Sequence, residues 1–211
     1  MRFAFRDRAE FFGDPDFVSI PQKALLAESR LDHAAKKLKA RKLLDLGKPF
    51  PLKDDHGTSH IVVMDQARKM YLSCTSTINT YFGSLVFSKN FGFPYNNEMD
   101  DFSLPKEANY FGLVGSSKNY IEAGKRPLSS MTPVLAFRKL EAFGAGGSGG
   151  PRIISATALM LLQSLYLNKN LKQAEKVPRL HHQWSPDKIF IESSALKQDR
   201  KILSKFWKLA D

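Results

Sequence analysis

The 211-residue sequence is 43% hydrophobic and 25% charged, with 16 Phe, 6 Tyr and 2 Trp. That composition excludes a disordered or collagen-like chain and supplies one domain with a sizeable core. The net charge of +11 is spread out, with 12 basic against 9 acidic residues in 1–57 and 20 against 12 in 58–211. The single cysteine, Cys74, excludes an internal disulfide and a thiolate metal cluster.

In chain order, Gly13-Asp14-Pro15-Asp16 reads as a turn, and 24–44 as an amphipathic helix with Leu31, Ala35, Leu38 and Leu43 at helical spacing. The cluster Lys36, Lys37, Lys39, Arg41 and Lys42 falls on the outer face of that helix and is read as solvated rather than as a nucleic-acid surface. Lys48-Pro49-Phe50-Pro51 cannot continue a helix, and Asp54-Asp55-His56-Gly57 is polar and breaker-like, which places a boundary and an exposed connection there. From Thr58 the pattern changes to strands at 61–64 and 70–78, joined by a polar turn at 65–69, a hairpin. A loop region follows over 82–130, then the apolar Val134-Leu135-Ala136-Phe137.

The glycine-rich stretch 144–150 then enters a helix at 153–168, apolar on nearly every side and therefore expected to be buried. Such a loop presents backbone N–H groups to an anion. The apolar run 153–167 is broken by Ser155, Thr157, Gln163 and Ser164 and is short of the roughly 20 residues of a membrane span. A strand is expected at 188–192. A closing helix over 194–209, with Ser194 as N-cap and Leu196, Ile202, Leu203, Phe206 and Leu209 on one face, is expected to dock. The charged amino terminus lacks the apolar stretch of an export signal.

Few residues announce chemistry singly. His56 and His60 are four apart with Gly57 between them and no helix predicted, so they are not read as a zinc pair; the glycine loop lacks the Gly-Lys-Ser/Thr ending of a phosphate loop. His181 and His182 are read as packing and hydrogen-bonding residues. What remains is a scatter of small polar groups, Thr58, Thr75 to Thr77, Asn79, Glu98, Asp101, Ser129 and Ser130, and by residue type alone the chain is a mixed α and β domain.

Six motifs in order resemble the gamma-glutamyltransferase family. They are Gly57-Thr58-Ser59-His60, the stretch 75–83 (TSTINTYFG), the stretch 96–103 (NNEMDDFS), Pro127-Leu128-Ser129-Ser130-Met131, Gly149-Gly150-Pro151-Arg152, and the stretch 178–184 (PRLHHQW). The resemblance implies an α+β fold, the N-terminal-nucleophile hydrolase αββα sandwich, here truncated at both ends. It implies that 1–57 ends the large-subunit region and 58–211 belongs to the small catalytic subunit, with self-cleavage between Gly57 and Thr58.

It further implies that Thr58 is both nucleophile and, through its freed amino group, general base, with Thr77 hydrogen-bonding it. Gly149 and Gly150 would stabilise the oxyanion, Asp101 with Asn79 and Glu98 would bind the substrate ammonium, and Ser129 and Ser130 its carboxylate. Implied partners are glutathione and other gamma-glutamyl compounds, acceptor amino acids, dipeptides or water, and the large subunit, with no cofactor or metal. The implied location is periplasmic, extracellular or cell-surface. The family's carboxylate-gripping arginine lies upstream of the point matching Met1, so the clamp is expected to be incomplete, and the strand pair after Met131 to be shortened.

Overall fold

The computed structural model describes residues 1–39, 57–195, 197–205 and 209–210. Helix α1 (Arg2–Phe11), which the sequence reading did not contain, opens the chain. Phe5 is buried with Phe111 and Leu113, and Tyr110, Ile154 and Trp184 pack against that cluster. Burial of such side chains is worth about 1.5–3 kcal/mol each, so this cluster fixes α1 against the middle of the chain. At the far end of the helix the Ser116 N–H donates to Ala9 O at 2.9 Å, and Ser116 Oγ donates to Glu10 O at 3.2 Å.

In the turn that follows, Asp14 is buried as well. Its carboxylate accepts from Arg126 Nη2 at 2.7 Å, Nε at 2.9 Å and the Arg126 N–H at 2.8 Å. Those three donors hold the Asp14 carboxyl well below the ordinary carboxylate range. The helix expected over 24–44 is broken into α2 (Gln22–Leu25) and α3 (Glu28–Lys39). Arg30 of α3 forks onto Asp7 of α1 with two bonds of 2.7 Å. Leu31 and Ala35 are exposed, so the apolar stripe of α3 is not covered among the described residues; Lys36 and Lys37 are solvated as expected. Leu43, Arg41, Lys42, the Pro49 region and Asp54-Asp55-His56 lie outside the described residues.

Strands β1 (Thr58–Asp65) and β2 (Met70–Thr77) form the expected hairpin, antiparallel from Thr58↔Thr77 to Asp65↔Met70. The Asp65 carboxylate accepts the Arg68 N–H at 2.9 Å and closes the connection, and Lys69 takes the left-handed turn conformation at φ 53°. A second hairpin, β3 (Val134–Arg138) with β4 (Glu141–Ala145), turns through only Lys139 and Leu140. The two hairpins meet where the Tyr71 and Phe137 rings stack edge to face at 5.2 Å. Gly144 lies against Val62 so closely that a Cβ would overlap it.

Helix α4 (Arg152–Leu161) passes into a wider π turn (Leu162–Tyr166). The expectation of a helix buried nearly all round to 168 is corrected. Ile153, Ser155 and Thr157 are buried while Leu162, Tyr166 and Leu167 are exposed, because small residues let one side approach β5 closely and nothing described covers the other. After α5 (Leu171–Glu175), β5 (Leu180–His181) pairs antiparallel with β6 (Ile189–Ile191).

The closing element is also corrected. Helix α6 spans only Lys197–Ser204, so Ser194 does not cap it, and Ile202 is half exposed. Lys197, Asp199, Arg200 and Lys201 leave α6 too polar to bury, and Leu209 lies in β7 (Leu209–Ala210), parallel to β6. Leu196 and Phe206 lie outside the described residues. Among the described residues no helix is long and apolar enough to cross a membrane.

Candidate active site

The site is organised around the start of β1. Gly57 precedes the strand and its carbonyl accepts the Ile78 N–H at 3.3 Å. A Cβ on Gly57 would overlap the Ile78 carbonyl, so this close approach requires glycine. The antiparallel pairing puts Thr58 opposite Thr77, and their hydroxyl oxygens are 3.0 Å apart. Two residues on, His60 Nδ1 and Thr75 Oγ1 are 2.8 Å apart on the same face. Both are cross-strand pairs in register, so the hairpin itself aims these groups. A cavity of about 400 Å³ opens beside Gly57, lined by Ile78, Asn79, Phe82 and Tyr110 among others.

The strand then runs into the buried Asn79, whose N–H donates to Asn97 Oδ1 at 2.7 Å while Asn97 Nδ2 donates to Thr80 Oγ1 at 2.9 Å. Asn97 thus fastens the end of the hairpin to the 3₁₀ turn Glu98–Asp101, where Asp101 is buried. The Asn79 side-chain nitrogen is buried and has no hydrogen-bond partner among the described residues.

One amide joins this turn to the two serines. Asn119 is 4% exposed; its Nδ2 donates to Asp101 O at 2.9 Å and Ser103 Oγ at 3.1 Å, and its Oδ1 accepts the Leu128 N–H at 3.0 Å. The turn 128–130 carries an arginine of this chain, Arg8, which holds the backbone and Ser130 rather than standing where the upstream arginine of the family is expected. Arg8 Nη2 donates to Leu128 O at 3.0 Å, Ser129 O at 3.3 Å and Ser130 Oγ at 3.2 Å. Burial lowers the Arg8 guanidinium to about 10 against the opposing pull of Asp101, so it remains charged at neutral pH.

Gly149 and Gly150 adopt φ 119° and φ 55°, which side chains rarely tolerate, and lead directly into α4. The same loop touches β1 at Gly146, where a Cβ would overlap the His60 ring. The hydrogen bonds therefore assemble three groups: Thr58 with Thr77; Asn79 with the turn holding Glu98; and, through Asn119, the Asp101 backbone with Leu128, the residue ahead of Ser129 and Ser130. The glycine pair is carried by a loop packed on β1.

His181 and His182 are hydrogen-bonded structural groups. Ser155 Oγ is 2.8 Å from His181 Nδ1, and His181 Nε2 is 2.9 Å from Gln183 Oε1. Gln183 Nε2 in turn donates to Gly112 O and Ser185 O. Burial lowers His181 to about 4, which leaves it neutral at pH 7. His182 Nε2 lies 3.0 Å from Asp187 Oδ1. Among the described residues no cluster of three metal-ligating side chains occurs. Arg8, Asn97 and Asn119 were missed by the sequence reading. Phe5, the apolar anchor of α1, was the one local signal for Arg8, whereas Asn97 sits in a loop and Asn119 ends the 3₁₀ turn Ser117–Asn119, neither with periodicity.

Comparison with known proteins shows what the chain is similar to. Glutathione hydrolase proenzyme of Escherichia coli is 35% identical over 96% of this chain, which spans 36% of that protein's length. An Arabidopsis thaliana relative whose name includes the words "inactive glutathione hydrolase 4" is 37% identical over 86% of this chain and 98% of its own length. The solved Helicobacter pylori gamma-glutamyltranspeptidase T380A mutant superposes with a TM-score of 0.65 at 37% identity, covering 72% of this chain and 83% of that one. An acivicin-inhibited gamma-glutamyltranspeptidase gives the same TM-score at 38% identity over 72% of this chain and 82% of that one. The fold is thus the α+β fold of the N-terminal-nucleophile hydrolases, and with residues 1–206 matching the gamma-glutamyltranspeptidase family, the chain belongs to that family.

Proposed function

We propose that this chain carries out gamma-glutamyl transfer and hydrolysis of glutathione and related compounds through a glutamyl ester on Thr58, after cutting itself between Gly57 and Thr58. The observation that carries the reading is the Thr58 hydroxyl at 3.0 Å from Thr77 Oγ1, at a strand end that begins immediately after a sterically required glycine. A threonine hydroxyl is a weak nucleophile at neutral pH. Cleavage of the preceding peptide bond frees an α-amino group on the same residue, and its ordinary pKa of about 7.7–8.0 suits a general base.

In the first half-reaction the Thr58 oxygen adds to the gamma-carbonyl carbon and its proton passes to the amine. The C–N bond then breaks, and the protonated leaving amine departs, leaving the ester. Water or the amino group of an acceptor reverses the sequence and regenerates Thr58. Backbone N–H groups of Gly149 and Gly150 are assigned to the oxyanion, a role for which absent side chains allow close approach. Asp101, with Glu98 and the Asn79 amide, is assigned to the substrate ammonium, and the Ser129 and Ser130 hydroxyls to its carboxylate. Residues 1–57 are assigned to the large-subunit end and 58–211 to the small subunit, and the remainder of the large subunit is the partner that would cover the exposed apolar face of β1 at Ile61 and Val63.

The test is intact mass after incubation near neutral pH beside a Thr58→Ala control. Two fragments meeting at Gly57/Thr58, absent from the control, support the reading, and an uncut wild type alongside absent gamma-glutamyl anilide hydrolysis refutes it. A second reading, a non-catalytic relative, is favoured by the Arabidopsis protein of similar length that is named inactive. Steady hydrolysis of the anilide by this chain would dispose of it.

A further inference from the structure

The Arg8 contact to the serine turn goes beyond any role assigned above, and it rests on the reading of Ser129 and Ser130 as carboxylate ligands. We propose that Arg8 is a positioning residue for the substrate's α-carboxylate: it fixes the 128–130 turn so that both serine hydroxyls are left as hydrogen-bond donors.

The argument starts from donor and acceptor counts. A serine hydroxyl has one proton to give and can also accept, whereas a guanidinium only donates. Ser130 Oγ, in a buried residue, accepts from Arg8 Nη2 at 3.2 Å, so its own proton does not point along that contact. Ser129 Oγ accepts the Met131 N–H at 3.0 Å, so its proton is likewise not used there. The same Arg8 nitrogen takes the carbonyls of Leu128 and Ser129 at 3.0 and 3.3 Å, which turns those acceptors away from an incoming anion. Two adjacent hydroxyls with their acceptor sides occupied and their protons available match the two oxygens of a carboxylate.

Arg8 works from behind the turn. The gap that it lines with Asp101, Asn119 and Leu128 is about 10 Å³, the size of one water at most, so no amino-acid ligand enters between them. Its positive charge stands behind the hydroxyl pair, and the carboxylate of Asp101 lies across the same gap, so the field has the polarity of a zwitterionic α-amino acid. The anchoring of α1 by Phe5 and Ser116 is what sets Arg8 at this depth.

The test compares binding, by titration calorimetry, of L-glutamine and of 4-aminobutanamide, the same molecule without its α-carboxylate. The wild-type chain is expected to prefer L-glutamine. Arg8→Gln is expected to weaken L-glutamine by about 10- to 100-fold, the range for a charge-supported contact, while changing 4-aminobutanamide less than about twofold. Arg8→Lys, which retains the cation but replaces the planar guanidinium with a compact ammonium on a flexible stem, is expected to lie between, and it carries the test if Arg8→Gln does not fold. Adding Ser130→Ala to Arg8→Gln is expected to cause little further loss, because the two act on one group. Equal losses for both ligands, or none, would overturn the proposal. A wild type that does not discriminate between the ligands would instead refute the carboxylate assignment of the serines, and that outcome is visible before any Arg8 variant is made.

Discussion

Thr58 Oγ1 and Thr77 Oγ1 stand 3.0 Å apart across the first pair of the β1–β2 ladder, so the group assigned as nucleophile is oriented by the neighbouring strand rather than by a loop. Thr77→Val is close in shape and removes only the hydroxyl. It is expected to slow self-cleavage by about ten- to a hundred-fold, the kinetic equivalent of one lost hydrogen bond to a developing charge. Thr77→Ser is expected to retain most of the rate. Following intact mass against time for the three chains checks both statements.

Gly57 offers a second, purely steric prediction. Its Cα lies so close to the Ile78 carbonyl that Gly57→Ala must push the 57–58 peptide away from the Ile78 N–H it now accepts. Because Gly57 lies outside the strand, the hairpin itself is expected to survive. Self-cleavage should fall strongly while the far-UV circular dichroism stays that of the wild type; unaltered cleavage would show that this hydrogen bond has no part in the reaction.

Asn119 should affect binding without affecting the cut. It makes three side-chain hydrogen bonds, one of them to the Asp101 backbone and one to the N–H of Leu128. Asn119→Ala leaves these buried groups unsatisfied, at about 1–3 kcal/mol for each such group not reached by water. The expected result is a lower unfolding midpoint in urea and weaker L-glutamine binding. The rate of cleavage at Gly57/Thr58 should stay within about twofold, since Thr58 and Thr77 are held by the ladder.

Acid should act in two separate windows. His181 is depressed to about 4, so the unfolded chain, with an ordinary value of 6.5, binds the proton more readily. Stability is therefore full above about pH 6.5 and is lost as pH falls toward 4, by up to about 3 kcal/mol from this group. His182, also lowered by burial, acts in the same direction. Asp14 is depressed by Arg126, so its contribution persists above the ordinary value of 3.8 and is lost only below it. Urea midpoints at pH 7, 4 and 2 separate the two, and Asp14→Asn should flatten only the last step.

Much of this was legible in the sequence because it is local. Two runs rich in strand-favouring residues, 61–64 and 70–78, about a polar interruption made the hairpin readable, and the order of six short motifs carried the family. The Pro and Gly punctuation around α4 and the breaker stretch before Gly57 belong to the same class of signal. Short-range pattern also misled: the apolar stripe of α3 and the spacing of Ile202, Leu203 and Leu209 promised buried helices. The structure leaves Leu31 and Ile202 exposed and puts Leu209 in a strand. Periodicity says which residues could face a partner, and only packing decides whether one is there.

The residues assigned to the chemistry were picked out by short sequence motifs that resemble those of the family, and the positive φ of Gly149 and Gly150 is a backbone demand that one such motif meets. What joins them was decided by tertiary structure. Arg8 reaches Ser130 across 122 positions, and Asn119 ties Asp101 to Leu128 from the end of a three-residue 3₁₀ turn with no apolar pattern of its own. A hydrogen bond between groups so far apart leaves no periodic trace, because its geometry depends on how α1 docks through Phe5 and on where the intervening chain returns, not on any neighbouring residue type.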